Sequence, residues 1–375
     1  MKIGVAAETQ RGETRVAATP ETVKKLIAQG HEVLVQTGAG ISASVPDAAY
    51  EAVGAHIGDA AAALACDMVL VVRAPDAQQV SLMRSGAAVL GMLNPFDAEG
   101  LARIAAAGLT GFALEAAPRT TRAQSMDVLS SQANIAGYKA VLMAANEYQR
   151  FFPMLMTAAG TVKAARVVIL GVGVAGLQAI ATAKRLGAVI EASDVRPSVK
   201  EQIESLGGKF IDVPLETDEE REAAEGVGGY AKPMPPSWLA RQRAEVAKRI
   251  ALADVVISTA LIPGRPAPEL ISADMVAAMK PGAVIVDIAA GRGAVGGNCP
   301  LTQTDQVITT DNGVRIVGYT NLAAMVGADA SALYARNVLD FLKLVIDKEK
   351  GFHIDMEDDI VAACLMTRDG QVLRA

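Results

Sequence analysis

The sequence contains few aromatic residues, few cysteines and few histidines. Aromatic residues occupy 4% of the 375 positions, so a buried core must be built from alanine, valine, leucine, isoleucine and methionine. The three cysteines, Cys66, Cys299 and Cys364, are far apart and form no C-x-x-C pair. This pattern excludes a disulfide framework, predicts no metal site and favours a reducing cytoplasm.

A strong net charge and long apolar runs are also missing. The net charge of −6 argues against nucleic acid as the main partner and against an electrostatic membrane anchor. The longest stretch without a charged residue, 167–183, is shorter than the about 20 residues that a membrane helix needs, and a glycine turn interrupts it. We therefore expect no direct insertion into a membrane. Residues 1–8 read as a strand rather than as a signal peptide.

What the sequence does contain is a regular alternation of short apolar segments and helical patterns. Its 51% hydrophobic content and its length predict two to three domains with substantial cores. Strands separated by helices are typical of β-α-β units and of parallel sheets. We therefore predict an α/β fold with two Rossmann-like domains, linked by long helices at about 128–150 and 331–347, with a nucleotide in the cleft.

The domain boundaries follow from these two series of elements. The first domain is expected to be discontinuous, comprising 1–128 and 320–375, and the second to comprise 129–319. The segment at about 216–236 begins with acidic residues and continues with glycines and prolines. Its first half has a helical pattern, and a segment of this length without a clean period is typical of a functional or mobile loop.

The most informative motif is a G-x-G-x-x-G formed by Gly171, Gly173 and Gly176. An apolar strand precedes it and an amphipathic helix follows, which is the context of a dinucleotide-binding turn. The first glycine permits the tight turn, the second admits a pyrophosphate, and the third allows the helix to pack on the strand. The helix N-terminus would offer free N–H groups to the phosphates. The alternative is an ordinary β-α turn that binds no ligand.

The next strand ends in Asp194, 18 residues after Gly176. A carboxylate there is placed to accept hydrogen bonds from an adenosine ribose and would repel a 2′-phosphate, which favours NAD(H) over NADP(H). Arg196, two residues later, complicates this interpretation because an arginine can accommodate that phosphate. We give Asp194 the greater weight because it ends the strand, whereas Pro197 turns the chain after Arg196.

Several segments resemble the family of alanine dehydrogenases and nicotinamide nucleotide transhydrogenases. They are 1–20 with its E-T-R-V-A, 170–176, 188–197, G-G-Y-A-K at 228–232, 259–264 and 296–301. The most specific is R-T-T-R-A-Q-S-M-D-V-L-S-S-Q at 119–132, which is similar to the signature loop of the NAD(H)-binding transhydrogenase component. The resemblance covers essentially the whole chain, and it implies that the bound cofactor is NAD(H).

The resemblance also implies roles for individual residues. Arg119, Gln124 and Asp127 would hold the nicotinamide and its ribose, and Gln124 would reach toward a second nucleotide on a partner. Asp127 is in addition a good N-cap for the following helix. Further binding positions implied by the resemblance, together with the three glycines, are Arg122, Ser130, Val174, Asp194, Val195, Arg196, Gly229, Tyr230, Gln242 and Leu261.

The resemblance implies hydride transfer from NADH on this chain to NADP+ on a partner subunit. The implied partners are an NADP(H)-binding subunit and membrane subunits that carry protons. A homodimer is implied as well, located at the cytoplasmic face of the membrane through its partners. Such a transfer needs aligned rings and no general acid or base.

Two other functions remain open at this point. An amino-acid dehydrogenase would need a proton donor and acceptor beside the hydride centre. The family positions for that pair are occupied here by Asn94 and Gly291, which cannot serve. The other alternative is a catalytically idle NAD-binding module.

Overall fold

The computed structural model of the protein describes residues 1–225, 234–347 and 351–374. Two compact units divide the chain: unit 1 comprises Met1–Gln132 and Ala323–Ala375, and unit 2 comprises Ala133–Leu322. The strands of the described residues are, in chain order, β1 (Lys2–Val5), β2 (Glu32–Gln36), β3 (His56–Gly58), β4 (Met68–Arg73), β5 (Ala88–Met92), β6 (Thr110–Ala113), β7 (Leu155–Thr157), β8 (Gly160–Val162), β9 (Arg166–Leu170), β10 (Val189–Ser193), β11 (Lys209–Phe210), β12 (Val255–Ser258), β13 (Val284–Asp287), β14 (Val307–Thr309), β15 (Arg315–Val317), β16 (Ile346–Asp347), β17 (Gly351–Phe352), β18 (Leu365–Arg368) and β19 (Gln371–Val372).

The α-helices alternate with these strands in both units. They are α1 (Pro20–Ala28), α2 (Asp47–Glu51), α3 (Ala60–Leu64), α4 (Ala77–Leu82), α5 (Ala98–Ala106), α6 (Val128–Glu147), α7 (Val174–Arg185), α8 (Lys200–Ser205), α9 (Asp218–Glu225), α10 (Pro236–Ile250), α11 (Ala273–Ala277), α12 (Gly327–Val345) and α13 (Asp359–Cys364). Helix α6 begins in unit 1 and continues into unit 2, whereas α12 belongs wholly to unit 1.

The sheet of unit 2 has the strand order β11-β10-β9-β12-β13-β15-β14. Its strands pair in parallel except β14, which runs antiparallel at one edge. Numbered from β9, the order of the parallel strands is 3-2-1-4-5-6, the doubly wound dinucleotide-binding arrangement. The direction of winding reverses between β9 and β12, and ligands of such sheets bind at the carboxyl ends of the strands at this point.

The sheet of unit 1 repeats this order as β3-β2-β1-β4-β5-β6 and adds β18 and β19 at the β6 edge. Strand β18 pairs with β6 antiparallel, and the six earlier strands pair in parallel. The two units are therefore built on one topology although no repeated motif is visible in the sequence. The predicted α/β fold with two Rossmann-like domains is confirmed.

The core of unit 2 explains why its central strands are apolar without interruption. Along β9, Val167 and Ile169 pack into one buried cluster, and Val168 and Leu170 pack into a second cluster on the opposite face. A parallel sheet covered by helices on both faces buries every side chain, so the two-residue alternation of a half-exposed strand disappears. Each fully buried aliphatic side chain contributes about 1.5–3 kcal/mol.

One helix boundary differs from its prediction. The helix expected at about 331–347 begins at Gly327 and ends at Val345. A glycine normally argues against a helix start, but here packing requires it. A Cβ at Gly327 would lie 2.7 Å from Thr14 Oγ1, so no side chain fits there. Residues beyond Val345 leave the helix because Ile346–Asp347 pairs with Gly351–Phe352 in a short hairpin.

Candidate functional site

The glycine motif forms the turn between β9 and α7 at the reversal point of the unit 2 sheet. Gly171 has a φ of +86°, a conformation that side chains disfavour. A Cβ at Gly176 would lie 2.1 Å from the Gly171 carbonyl oxygen, so only glycine permits this approach of helix and turn. Both residues therefore have a backbone reason to be glycine.

Gly173 differs because its reason is not internal to the protein. It is the N-cap of α7 with an ordinary φ of −79°, and a Cβ built there would meet nothing within 4 Å. The space in front of it borders the first turn of α7, whose N–H groups have no partner within the helix. A missing side chain that faces open space at a helix N-terminus fits a pyrophosphate. This geometry is compatible with the dinucleotide that the sequence predicts.

Asp194 follows β10 and is engaged within the turn itself. Its carboxylate accepts hydrogen bonds from Val172 N at 2.7 Å and from Arg196 N at 2.9 Å. The Arg196 guanidinium donates to the same carboxylate from Nε at 2.9 Å and from Nη2 at 3.0 Å, and Nη2 also donates to the Val172 carbonyl. The carboxylate raises the pKa of the Arg196 guanidinium. The acid and the arginine therefore act as one paired unit beside the glycine turn.

Other predicted positions of unit 2 lie around the same strand ends. Gln242, on α10, donates from Nε2 to Ser193 Oγ at 3.2 Å and to the Asp194 carbonyl at 3.3 Å. Val174 opens α7 and is 38% exposed, and Leu261 follows β12 and is 51% exposed. Val195 is half-buried between Asp194 and Arg196. The predicted positions Gly229 and Tyr230 lie outside the described residues, as does the centre of the segment 216–236.

Two residues that the sequence reasoning did not single out hold the β12 end in place. Thr259 Oγ1 donates to the Gly171 carbonyl at 2.9 Å, which ties the strand end to the glycine turn. Asn298 is fully buried and brackets the Ala260 peptide. It accepts from Ala260 N at 3.1 Å and donates to the Ala260 carbonyl at 2.9 Å. Nothing in the sequence pairs positions 260 and 298, because only the folded chain brings them together.

The predicted loop of unit 1, residues 119–127, leads into α6. Asp127 accepts from Ser130 N at 2.8 Å and from Ser130 Oγ at 2.6 Å, so it is the N-cap of the helix. A 3₁₀ turn at Gln124–Met126 precedes it. Ala123 and Met126 are buried, whereas the Gln124 side chain is exposed and hydrogen-bonds to no described residue. The loop thus presents Gln124 outward from a buried base.

Arg122 is held differently from its predicted neighbours. Its guanidinium donates to both carboxylate oxygens of Asp358 at 2.6 and 2.8 Å, and it also pairs with Asp359 at the start of α13. The guanidinium keeps the pKa of the Asp358 carboxyl at about 2, well below its usual range. Within unit 1, Arg122 is therefore tied to α13. Arg119 is an exposed residue at the start of the loop.

A buried polar network lies behind this loop, at the carboxyl ends of β1, β4 and β5. The Glu13 carboxylate accepts from Arg15 Nε at 2.7 Å and Nη2 at 2.6 Å, and from Arg73 Nε at 3.1 Å. The side chains of Glu13 and Arg15 are 1% and 2% exposed. Arg15 Nη1 donates to Gln132 Oε1 at 2.9 Å. The guanidinium of Arg15 is thus used by the protein itself, which leaves no edge open for a substrate carboxylate.

Two further carboxyl groups belong to this region of unit 1. Glu8 accepts from Val72 N at 2.6 Å and Arg73 N at 3.1 Å, and Glu115 accepts from Asn94 N at 2.7 Å. Burial raises the pKa of each carboxyl to about 7. Desolvation outweighs the backbone hydrogen bonds that favour the charged form.

The raised pKa of Glu8 predicts a pH dependence of stability. An acid whose folded pKa exceeds its unfolded value of about 4.5 holds a proton that the unfolded chain releases between about pH 4.5 and 7. Its stabilising contribution is complete below this window and is lost as the pH rises through it. We expect the melting temperature of the wild type to fall relative to that of Glu8→Gln between pH 5 and 7.5, by calorimetry. Parallel curves for the two proteins would contradict the assignment.

Comparisons with known proteins agree with this geometry. Profiles of the alanine dehydrogenase/PNT family match residues 4–136 with the N-terminal domain and residues 140–375 with the C-terminal domain. The chain is 48% identical to an NAD(P) transhydrogenase alpha subunit of Rhodospirillum rubrum, over 100% of this chain and 98% of that protein.

A solved structure and a more distant relative extend the comparison. The crystal structure of transhydrogenase from Sinorhizobium meliloti matches with a TM-score of 0.89 and 48% identity, covering 100% of both chains. An alanine dehydrogenase of Halomonas elongata is 30% identical over 99% of this chain and 94% of that protein. The similarity is thus greater to the transhydrogenases than to this dehydrogenase.

Proposed function

This chain belongs to the alanine dehydrogenase/PNT family, and on that premise we propose that it is the NAD(H)-binding component of a proton-translocating transhydrogenase. Its 48% identity to a transhydrogenase alpha subunit, against 30% to an alanine dehydrogenase, supports the transhydrogenase reaction. In the proposed reaction, hydride passes directly from NADH on this chain to NADP+ on a partner subunit. Proton movement is the task of separate membrane subunits.

The observation that carries this proposal is the 119–127 loop with its outward-facing Gln124. Hydride transfer between two nicotinamide rings requires alignment and the exclusion of water, and no proton has to move. Gln124 cannot titrate, and its amide is free to bond a ligand. Reductive amination would need a titrating pair instead. Asn94 and Gly291, at the corresponding family positions, offer no such pair.

The residues divide the work as follows. When bound, the reduced nicotinamide supplies the hydride. The glycine turn and the N-terminus of α7 bind the pyrophosphate, while Val174, Val195, Gln242 and Leu261 surround the adenosine half. Arg119, Gln124 and Asp127 orient the nicotinamide and its ribose, with Arg122 and Ser130 beside them, and Gln124 extends toward the second nucleotide. Gly229 and Tyr230 cover the bound nucleotide.

The preference for NAD(H) is assigned to the pair Asp194–Arg196. The carboxylate compensates the guanidinium and would repel a 2′-phosphate at the ribose. Asp194→Asn removes this charge and leaves Arg196 uncompensated. We expect the affinity for NADH to fall about tenfold and that for NADPH to rise, each measured as a Kd by titration. Asp212→Asn, which changes an exposed acid paired with Lys200, is the control. An unchanged NADH-to-NADPH preference in Asp194→Asn would refute the assignment.

Partner subunits and location belong to the same proposal. Among the described residues, no helix combines the length and the apolar character needed to traverse a bilayer. An NADP(H)-binding subunit and membrane subunits are the proposed partners. We place the chain in the cytoplasm, peripheral to the membrane through those partners. Coupling must then pass through nucleotide binding and subunit contacts.

A homodimer is proposed on the basis of the β7–β8 hairpin in unit 2. A two-stranded hairpin is marginally stable without further packing. Here Met154 and Met156 are 58% and 77% exposed, and Phe151 is 55% exposed. A second copy of the chain would cover these side chains. We expect the wild type to sediment as a dimer and Met156→Glu to shift it toward monomer. A dimer that resists the substitution would place the interface elsewhere, and a monomeric wild type would refute the dimer.

The function is tested by following NADH oxidation by the purified chain. The assay contains the purified NADP(H)-binding subunit of a transhydrogenase and NADP+ or a spectrally distinct analogue. Control reactions omit the partner or supply pyruvate and ammonium instead. We expect oxidation only when the partner is present. Oxidation with pyruvate and ammonium alone would establish a dehydrogenase. NADH binding without oxidation, beside a partner of proven activity, would indicate an idle binding module.

A further inference from the structure

The proposed function depends on a loop whose own hydrogen bonds are short in range. Within the 119–127 loop, Ala123 N donates to the Thr120 carbonyl at 3.1 Å and Met126 N to the Ala123 carbonyl at 2.9 Å. These bonds shape a 3₁₀ turn, but they do not attach it to the rest of unit 1. Hydride transfer loses about 10²-fold in rate for a misplacement near 1 Å. Something outside the loop must therefore fix Gln124 and Asp127.

Asn337, on the buried side of α12, makes that attachment. Its Nδ2 donates to the Ser125 carbonyl at 2.7 Å, and its Oδ1 accepts from Ser131 Oγ at 2.7 Å. Ser125 lies in the 3₁₀ turn directly after Gln124, and Ser131 lies in the first turn of α6. The two contacts therefore enclose Asp127 from both sides along the chain. Asn337 itself is 8% exposed.

The chemistry of these contacts requires a side-chain amide at position 337. One contact needs a donor and the other an acceptor, and both must come from the end of one short side chain. An aspartate would keep the acceptor but would set a carboxylate against the Ser125 carbonyl. The neighbouring buried positions of α12 are apolar, including Val338 and Phe341. A leucine would suit the core here, so the amide is explained by the loop and not by the packing of the helix.

We propose that Asn337 is the positioning residue of the 119–127 loop, holding Gln124 and Asp127 in the arrangement that hydride transfer requires. The inference rests on the proposed function, since it assigns a purpose to the loop that Asn337 holds. Asn337 does not touch the nucleotide in this proposal. It acts through the Ser125 peptide and the start of α6.

The variants that test this are Asn337→Ala, Asn337→Asp and a control, Ser331→Ala. Ser331 is a fully buried polar residue on the same helix. Its Oγ accepts from Val16 N at 3.0 Å and donates to the Gly327 carbonyl at 2.6 Å, so it bonds neither the loop nor α6. The control reproduces the loss of a buried polar group from α12 without releasing the loop.

Three measurements are made on the full chain. Hydrogen exchange of the amides at 123–131 reports the loop without nucleotide or partner. NADH titration gives Kd, and single-turnover mixing with the NADP(H)-binding subunit gives the rate of hydride transfer. We expect both Asn337 variants to lose protection at 124–127 and to slow transfer about 30- to 100-fold, with Kd changed less than threefold. Ser331→Ala should lower the melting temperature but leave the exchange of the loop and the transfer rate near wild type.

The outcomes separate the inference from the function on which it rests. Unchanged exchange at 124–127 in Asn337→Ala would overturn the inference, as would an equal loss of rate in Ser331→Ala. A folded Asn337→Asp with wild-type transfer would overturn it too. If the wild type transfers no hydride to an active partner, the proposed function fails. Exchange in the chain alone still decides whether Asn337 fixes the loop.

Discussion

Replacing Gly173 by valine is expected to abolish NADH binding at concentrations up to about 100 times the wild-type Kd, while unit 2 stays folded. The backbone at this position is compatible with valine because φ is −79°, and a new Cβ meets no atom within 4 Å. The branched side chain would instead fill the space that the turn offers to a pyrophosphate. Titration calorimetry measures the affinity, and the melting temperature of the free protein measures the fold.

Gly176→Ala is the informative comparison. Its Cβ would lie 2.1 Å from the Gly171 carbonyl oxygen, a backbone atom that cannot move independently of the turn. We therefore expect this variant to lose stability and NADH binding together. The contrast distinguishes a glycine kept for a ligand from a glycine kept for packing. Wild-type NADH affinity in a folded Gly173→Val protein would mean that the turn is an ordinary β-α connection.

The second large effect is expected for Gln124→Ala. Gln124 is exposed and makes no side-chain hydrogen bond to the described residues, so its loss should leave the melting temperature unchanged. In the proposed reaction its amide aligns the two nicotinamides. We therefore expect hydride transfer to slow by about 10²- to 10³-fold, with the NADH Kd within about threefold of wild type. Single-turnover mixing with the NADP(H)-binding subunit measures this rate.

A matched substitution makes the result for Gln124 specific. Gln78 is an exposed glutamine on α4 of the same unit, and Gln78→Ala should transfer hydride at the wild-type rate. If Gln124→Ala also transfers at the wild-type rate, Gln124 has no part in aligning the nucleotides. A parallel rise in the NADH Kd and fall in rate would make it a binding residue only.

Much of the fold could be predicted because its signals are local. Apolar segments bounded by glycine, proline and capping residues marked the strands and helices of both sheets, and the pattern around Gly171 and Gly176 marked the turn after β9. The start of α12 was misplaced because Gly327 discourages a helix in isolation. Its close approach to Thr14, far away in the sequence, is what requires a glycine there.

The candidate site was accessible to prediction only to a limited extent. A spacing of three glycines and an acid is visible in the sequence, and so is a polar segment that resembles a known loop. The pairing of Arg122 with Asp358 joins residues 236 positions apart, and Asn337 lies 212 positions from Ser125. No local pattern encodes such contacts, since each partner alone is an ordinary polar residue.

Propensity, hydrophobic spacing and turn chemistry act between near neighbours in the chain, and they were sufficient to specify two α/β units and a dinucleotide turn. The identity of strand neighbours, the burial that raises the pKa of Glu8 and the polar contacts behind the 119–127 loop depend on residues that meet only after folding. Desolvation and hydrogen-bond geometry are properties of the packed state, because an unfolded chain hydrates each of these groups separately.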